Sequence, residues 1–429
     1  MSTLDRLLPP QIDSPDLKGD VQLISLVGLA HLVSHFSQLV LPPLFPWIKD
    51  GLHVSYAELG FLMSIFFVVS CVVQALSGFA VDRFGPKPIL FLGLICLILA
   101  IFGYASSDSY IQMTFYAFLA GMGNGVFHPA DYTLLNQRVS AQRLGHAYSI
   151  HGLTGSLGWA LAPALMAPIA MAYSWNAALF VAGLLGCGVL LLLWVKREQL
   201  NLDQKSAPIG EEVAGAQANS AGAERRTKEL EKESSFAFLK IPVVWMCFGF
   251  FLFYAMALSI VQAYAPEAVR QLQSVPLSVT ASCVTLYMLC SAAGMFLGGF
   301  LASNPKRAEL VVGAAFLTAG CLSLSLVYAD LVSWQVLALF GLMGLVSGSA
   351  NPSRDLLVKQ ATPANSTGRV YGVVYSGLDI GQAISAFIFG IFMDHHNYAA
   401  VIIGLAFLQG VLVLGALNVG RVSKGRVTL

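Results

Sequence analysis

The chain of 429 residues is 56% hydrophobic and only 11% charged, with a formal net charge of +1 at pH 7. Soluble domains carry about 25% charged residues, so this deficit excludes an ordinary water-soluble globule. The near-neutral balance leaves no basic surface for nucleic acid. Lipid is the expected solvent, and twelve apolar runs of roughly 20 residues are each long enough to cross a bilayer as a helix.

Residues 1–20 are polar, carry Pro9, Pro10 and Pro15, and read as an N-terminal cytoplasmic tail without a cleavable signal. Spans are expected near 21–46, 55–80, 87–106, 110–134, 145–172 and 176–195, forming a first six-helix bundle over 21–195. Residues 196–239 then change character, with charge clusters such as Glu224-Arg225-Arg226 among Ala, Gly and Ser. They read as a cytoplasmic linker, with a short helix expected near 223–233. Spans near 240–265, 276–302, 308–328, 331–353, 368–393 and 398–420 make a second bundle over 240–420, and 421–429 is a short tail. The fold class is therefore an all-α membrane protein of six plus six helices.

Lysine and arginine fix the expected orientation. With a cytoplasmic N-terminus, only Lys49 and Arg270 of the 24 Lys+Arg fall outside, as the positive-inside rule demands. Both termini are expected in the cytoplasm, and the chain is expected as a multi-pass protein of the inner membrane. The seven cysteines, Cys71, Cys96, Cys187, Cys247, Cys283, Cys290 and Cys321, all fall in expected spans without metal-ligand spacing and read as small apolar fillers. His395-His396 follows Asp394 in an expected outer turn and lacks a third ligand. No metal, no cofactor and no phosphate-cradling loop for ATP is expected.

The two halves echo each other. Gly125, Pro129, Gly145, Tyr148 and Gly158 recur 223 residues later as Gly348, Pro352, Gly368, Tyr371 and Gly381, and Gln38 and Pro42 recur 224 later as Gln262 and Pro266. Parallel repeats of this kind suit two bundles that rock about a site at the membrane midplane.

The loop after the second span reads Gly78-Phe79-Ala80-Val81-Asp82-Arg83-Phe84-Gly85-Pro86-Lys87. It resembles the signature loop of the major facilitator superfamily, with Ala80 in place of Leu and Pro86 in place of a basic residue. The resemblance implies the major facilitator fold and a gating role for Gly78, Asp82, Arg83, Gly85 and Lys87, whose charges would pair across the bundle interface. At the matching place, Gly299 to Arg307 keeps the glycine and the basic end but lacks the Asp. Two further stretches, Ala30-His31-Leu32-Val33-Ser34-His35-Phe36 and Gly123-Asn124-Gly125-Val126-Phe127-His128-Pro129, are similar to the fosmidomycin-resistance branch. That likeness implies a proton-driven exporter of small drugs or metabolites.

Polar stripes run through the expected spans. His31, His35 and Gln38 share one helix face, as do Asn124, His128 and Asp131; Tyr148 and His151 lie one turn apart. Tyr371, Tyr375, Asp379 and Gln382 follow one face of the eleventh span, and Asn351 and Arg354 stand at the repeat positions of His128 and Asp131. Ionisable groups at bilayer depth cost about 2.5 kcal/mol or more, so they face a partner or a wet cavity. Asp379 has no basic neighbour within a helical turn and reads as a proton carrier, with the histidines as further candidates. Arg354 suits an anionic group on a solute, and Phe36, Tyr254 and Tyr375 could hold an apolar body.

Other roles are open for several of these residues. Asn124 could be helix-packing glue, and His31 could bond a neighbouring backbone. His128 could serve the carbonyl freed by Pro129, and Asp131 and Arg354 could form an interhalf salt bridge. Pro129 and Pro352 are expected to kink their helices.

The expected function is secondary transport of a small organic solute by alternating access, as export against proton entry, by a monomer. The alternative is proton-coupled uptake of a small organic anion. It is favoured by Arg354 and by the absence from the fourth span of the arginine many drug/proton antiporters of the superfamily carry. A third reading, a non-transporting receptor, would use the 196–239 linker as its partner site.

Overall fold

The computed structural model describes residues 17–140, 142–201, 242–301, 307–361 and 367–427. The first tail, nearly all of the linker with its expected helix, the 302–306 part of the second loop and the side chains of Gly368 and Tyr371 lie outside the described residues.

Length and apolarity decide the architecture. In the first half α1 (Leu17–Gln38) leads through a 3-10 turn at Pro42–Leu44 into the short α2 (Phe45–Leu52). After it come α3 (Tyr56–Phe84), α4 (Pro86–Ala105), α5 (Tyr110–Asn124), α6 (Phe127–Arg138), α7 (Leu144–Ala172) and α8 (Trp175–Val195). The second half repeats the plan: α9 (Pro242–Ala263), the short α10 (Ala265–Gln273), α11 (Leu277–Leu301), α12 (Ala308–Tyr328), α13 (Ser333–Ala361), α14 (Thr367–Asp394) and α15 (Tyr398–Val427). Eleven of these helices or helix runs are long and apolar enough to cross a membrane. The twelfth crossing is α5 with α6.

That crossing, expected as one helix over 110–134, is broken at Gly125-Val126. Pro129 lacks the N–H that would bond the Gly125 carbonyl, and its ring crowds that same carbonyl. The Ser77 hydroxyl lies 3.3 Å from the freed oxygen, so the role considered for His128 falls to α3 instead. The break starts a fresh helix, α6, with Pro129 in its first turn, where proline is tolerated. Across Pro352 the equivalent α13 stays helical.

Two of the repeated glycine pairs do the same job in both halves, whereas Gly145 faces open space. A Cβ on Gly125 would come 2.5 Å from the Ser70 carbonyl of α3, and one on Gly348 would come 2.0 Å from the Ser291 carbonyl of α11. Gly158 against Leu32 and Gly381 against Leu252 form a second such pair, at 2.4 and 2.3 Å. Without a side chain, backbones approach closely where no hydrophobic effect drives helix association in lipid. The 223-residue repeat is thus a repeat of helix crossings: α1, α3, α5 and α7 in one half, α9, α11, α13 and α14 in the other.

The halves meet through α3 against α14 and α7 against α11. Contact is tightest at the end away from the chain termini. There Ser64 donates to the Ala383 carbonyl at 2.6 Å, Tyr264 donates to the Ala386 carbonyl, and the Asp394 carboxylate accepts the Tyr56 and Ala57 amides at 2.7 and 2.8 Å. Toward the end carrying the termini, a Cβ on Gly78 or Gly152 would meet no described atom within 4 Å. Asp82, Arg83, Tyr132 and Tyr148 are exposed there. The two bundles are clamped at the far end and part toward the termini.

Candidate functional site

The break after α5 turns α6 so that Asp131 points into its own bundle rather than across it. Asp131 is fully buried, with His31 and His151 2% and 3% exposed. His31 Nδ1, from α1, and His151 Nε2, from α7, both lie 3.1 Å from the same oxygen, Asp131 Oδ2. The two imidazoles stack with centroids 3.6 Å apart. His35 packs behind, 4.3 Å from the His31 ring and 4.4 Å from the Trp159 ring. His128 closes the group at 5.2 Å from the His31 ring and stacks on Tyr132. Four histidines from three helices surround one carboxylate. Sequence spacing paired His31 with His35 and His128 with Asp131 on separate faces, and the tertiary fold brings them into one cluster.

Among the described residues, His128 Nδ1 and Asp131 Oδ1 have no hydrogen-bond partner. A buried polar group left unpaired costs about 1–3 kcal/mol, a cost that packing alone does not offset.

Asn124 has the bland role considered for it. Its amide accepts from Ser34 at 2.8 Å and Gln38 at 3.2 Å and donates to Ser70 at 2.8 Å, tying α5 to α1 and α3. Trp159 donates to Gln38 at 3.0 Å. The second half holds the counterpart, Gln382 donating to Gln262 at 3.3 Å; Gln382 stands 223 residues after Trp159. The interhalf Asp131–Arg354 bridge does not form. Asp131 spends its bonds on His31 and His151, and Arg354 bonds Asp355 at 2.9 Å.

Arg354 lies in α13 between two rings of α9, 4.8 Å over Phe251 and 4.7 Å over Tyr254. Tyr375 of α14 packs on Phe251 at 4.9 Å. Buried Asn351 Oδ1 and Ser353 Oγ, on the same helix, have no partner among the described residues. Asp355 is in electrostatic range of Tyr132 in the other half, so this shelf fronts the space where the bundles part. Asp379, half-buried on α14, has no hydrogen bond or ion pair to a described residue, and it lies within electrostatic range of the Cys71 thiol of α3. Tyr148 bonds Asn136 and is exposed; it does not join the histidines.

In the loop after α3, Lys87 bonds the Asn201 side chain at 2.6 Å, and Arg83 covers the Phe84 ring at 5.2 Å. Gly85 takes a φ of +83°, a value that excludes most side chains. Asp82 is exposed without a described ion-pair partner. Two contacts escaped sequence reasoning. One is the clamp by Asp394. The other is Asp20, whose carboxylate accepts from Arg143 at 2.8 Å and Ser140 at 2.7 Å and ties α1 to the α6–α7 turn. Neither has a local motif, because the partners are over 100 residues apart.

Two repeated six-helix halves, clamped together at one end, with ionisable groups buried among apolar helices, define a membrane transporter and not an enzyme. A family model of the Major Facilitator Superfamily matches residues 27–327 and 260–427, and the chain belongs to that superfamily. It is 27% identical over 402 residues to the MFS-type transporter YfnC of Bacillus subtilis (strain 168), covering 92% of this chain and 91% of that one. It is also 27% identical over 170 residues to the fosmidomycin resistance protein of Escherichia coli (strain K12), covering 39% and 42% of the two chains. Among solved structures, a bacterial homologue of the human lysosomal transporter Spinster in an inward-facing, unoccupied conformation superimposes with a TM-score of 0.67. It is 14% identical and covers 95% of this chain and 97% of that one.

Proposed function

We propose that the chain moves a small organic solute across the cytoplasmic membrane by alternating access, coupled to protons, with Asp379 as the proton carrier. The observation that carries this reading is the position of Asp379. It is a carboxylate without a partner among the described residues, on α14 where that helix packs on α3 of the other half, so opening and closing change its surroundings. A carboxylate that gains and loses solvent through the cycle takes up a proton in one state and releases it in the other.

The solute sits where the bundles part. Arg354, held flat between Phe251 and Tyr254, offers a guanidinium to an anionic group, and Tyr375 flanks its body. Relatives named for hexuronate, for nitrate and for purine nucleotides support an anionic cargo. Positive-inside bias puts the termini in the cytoplasm, so the arrangement described is inward-open. Export against proton entry follows the fosmidomycin-resistance likeness; uptake by symport is the second reading, favoured by Arg354. The protein works as a monomer in either case.

In proteoliposomes with an internal pH dye, an imposed proton gradient should dissipate only with particular anionic solutes, and Asp379→Asn should abolish this. Flux without proton movement in the wild type would overturn the coupling. Extrusion or accumulation in intact cells decides the direction.

A further inference from the structure

We propose that His31, His128 and His151, with Asp131, form a binding site for one divalent transition-metal ion of the zinc, cobalt and nickel class. One ligand atom of each histidine lies within 4.8 Å of the others. Ligand atoms around a tetrahedral zinc, with bonds of about 2.0–2.1 Å, stand about 3.3 Å apart. Small rotations of the imidazoles close that difference.

The present contacts converge on one point. His31 Nδ1 and His151 Nε2 converge at 3.1 Å on one carboxylate oxygen, in a centre with no exposure. His128 brings an unpartnered Nδ1 and Asp131 an unpartnered Oδ1. A cation inserted among them would engage the two converging nitrogens, occupy the idle His128 nitrogen and give the carboxylate a charge to neutralise. Three imidazoles and one carboxylate are a borderline donor set. It favours zinc, cobalt and nickel over magnesium or calcium, which take oxygen ligands. His35, tilted against His31 at 4.3 Å, is a further imidazole within reach.

The ion can arrive from the parted end. His128 is only half-buried, and Tyr132 and Tyr148, which pack on each other at 5.5 Å, form the exposed mouth above it. All four ligands come from α1, α6 and α7 of one half, so binding needs no closure of the transporter. The site is therefore separable from the proton and solute roles proposed above.

The test uses the full-length, untagged chain in detergent, stripped with chelator and titrated with Co2+. The expected result is the d–d absorption of nitrogen-ligated tetrahedral cobalt, saturating at one equivalent per chain and displaced by Zn2+. His128→Gln removes no side-chain hydrogen bond to a described residue, so it should fold normally and weaken cobalt binding by about 10–100-fold or more. His31→Gln and His151→Gln should do the same. A variant carrying His53→Gln, His395→Gln and His396→Gln, away from the cluster, should bind as the wild type does. No saturable binding, or binding that survives His128→Gln and His151→Gln in protein with unchanged elution and melting, would overturn the proposal. Proton-coupled flux by metal-free protein would leave the transport reading standing in that case.

Discussion

Asp131 and Arg354 stand at equivalent points of the two halves, 223 residues apart, and carry opposite charges without meeting. The position that pairs with His31 in one half pairs with Tyr254 in the other, again 223 residues on. One half surrounds a carboxylate with imidazoles; its counterpart sandwiches a guanidinium between aromatic rings. The repeat has kept the positions and reversed the charge, although the helix breaks before Asp131 and stays continuous through Arg354.

Arg354→Lys tests the cationic position. Lysine keeps the charge but loses the planar group that stacks on Phe251 and Tyr254 and can clasp an anion with two parallel bonds. The apparent KM for an anionic solute should rise about 10-fold or more, corresponding to about 1.4 kcal/mol, with neutral solutes unaffected. Equal losses for both kinds of solute would assign Arg354 a purely structural role.

Gly60→Ala tests the clamp. Its Cβ would sit 2.0 Å from the Ala386 carbonyl of the other half, and overpacking against backbone costs about 1–3 kcal/mol. The variant should fold but disfavour the closed far end, so thiol reagents should reach Ser64→Cys introduced beside it. Gly78→Ala, in open space here, should leave that labelling unchanged and gain up to about 1 kcal/mol of helix stability.

Asp394→Ala removes the acceptor for two amides at the start of α3. The Ser55–Glu58 capping box stays in place, so α3 should remain helical. Loss of two charge-assisted bonds should shift the balance between closed and open far ends by about 5–150-fold. Spin labels at positions 53 and 395 should move apart; an unchanged distance distribution would show that the clamp is held elsewhere.

Asn124→Ala cuts the knot among α1, α3 and α5. Interhelical hydrogen bonds in membranes are worth about 0.6 kcal/mol each on average, so the three bonds predict a loss of about 2 kcal/mol. Unfolding titrations in mixed micelles would measure it. Because Ser34, Gln38 and Ser70 are each left short of a partner, Asn124→Asp should cost less than Asn124→Ala if acceptance from Ser34 and Gln38 dominates.

The sequence by itself determined that the chain spans a membrane, that it has two related halves, and which helices carry polar groups. These follow from local quantities: the apolar length needed to cross lipid, the period of a helix face, and glycines spaced to let backbones touch. Pro129 even marked the fourth crossing for distortion, although a break at Gly125-Val126 was not distinguishable from a kink. Only the tertiary structure decided which polar groups meet. His31, Asp131 and His151 lie on three helices, and their shared oxygen depends on the rotation of α6 after the break. Asp131 and Arg354, paired by repeat and charge, stay apart because each finds partners nearer within its own half. Helix faces are set by residues three and four apart, whereas the site is set by how whole helices turn against each other. That rotation is a sum of many weak packing contacts, and no single stretch of sequence records it.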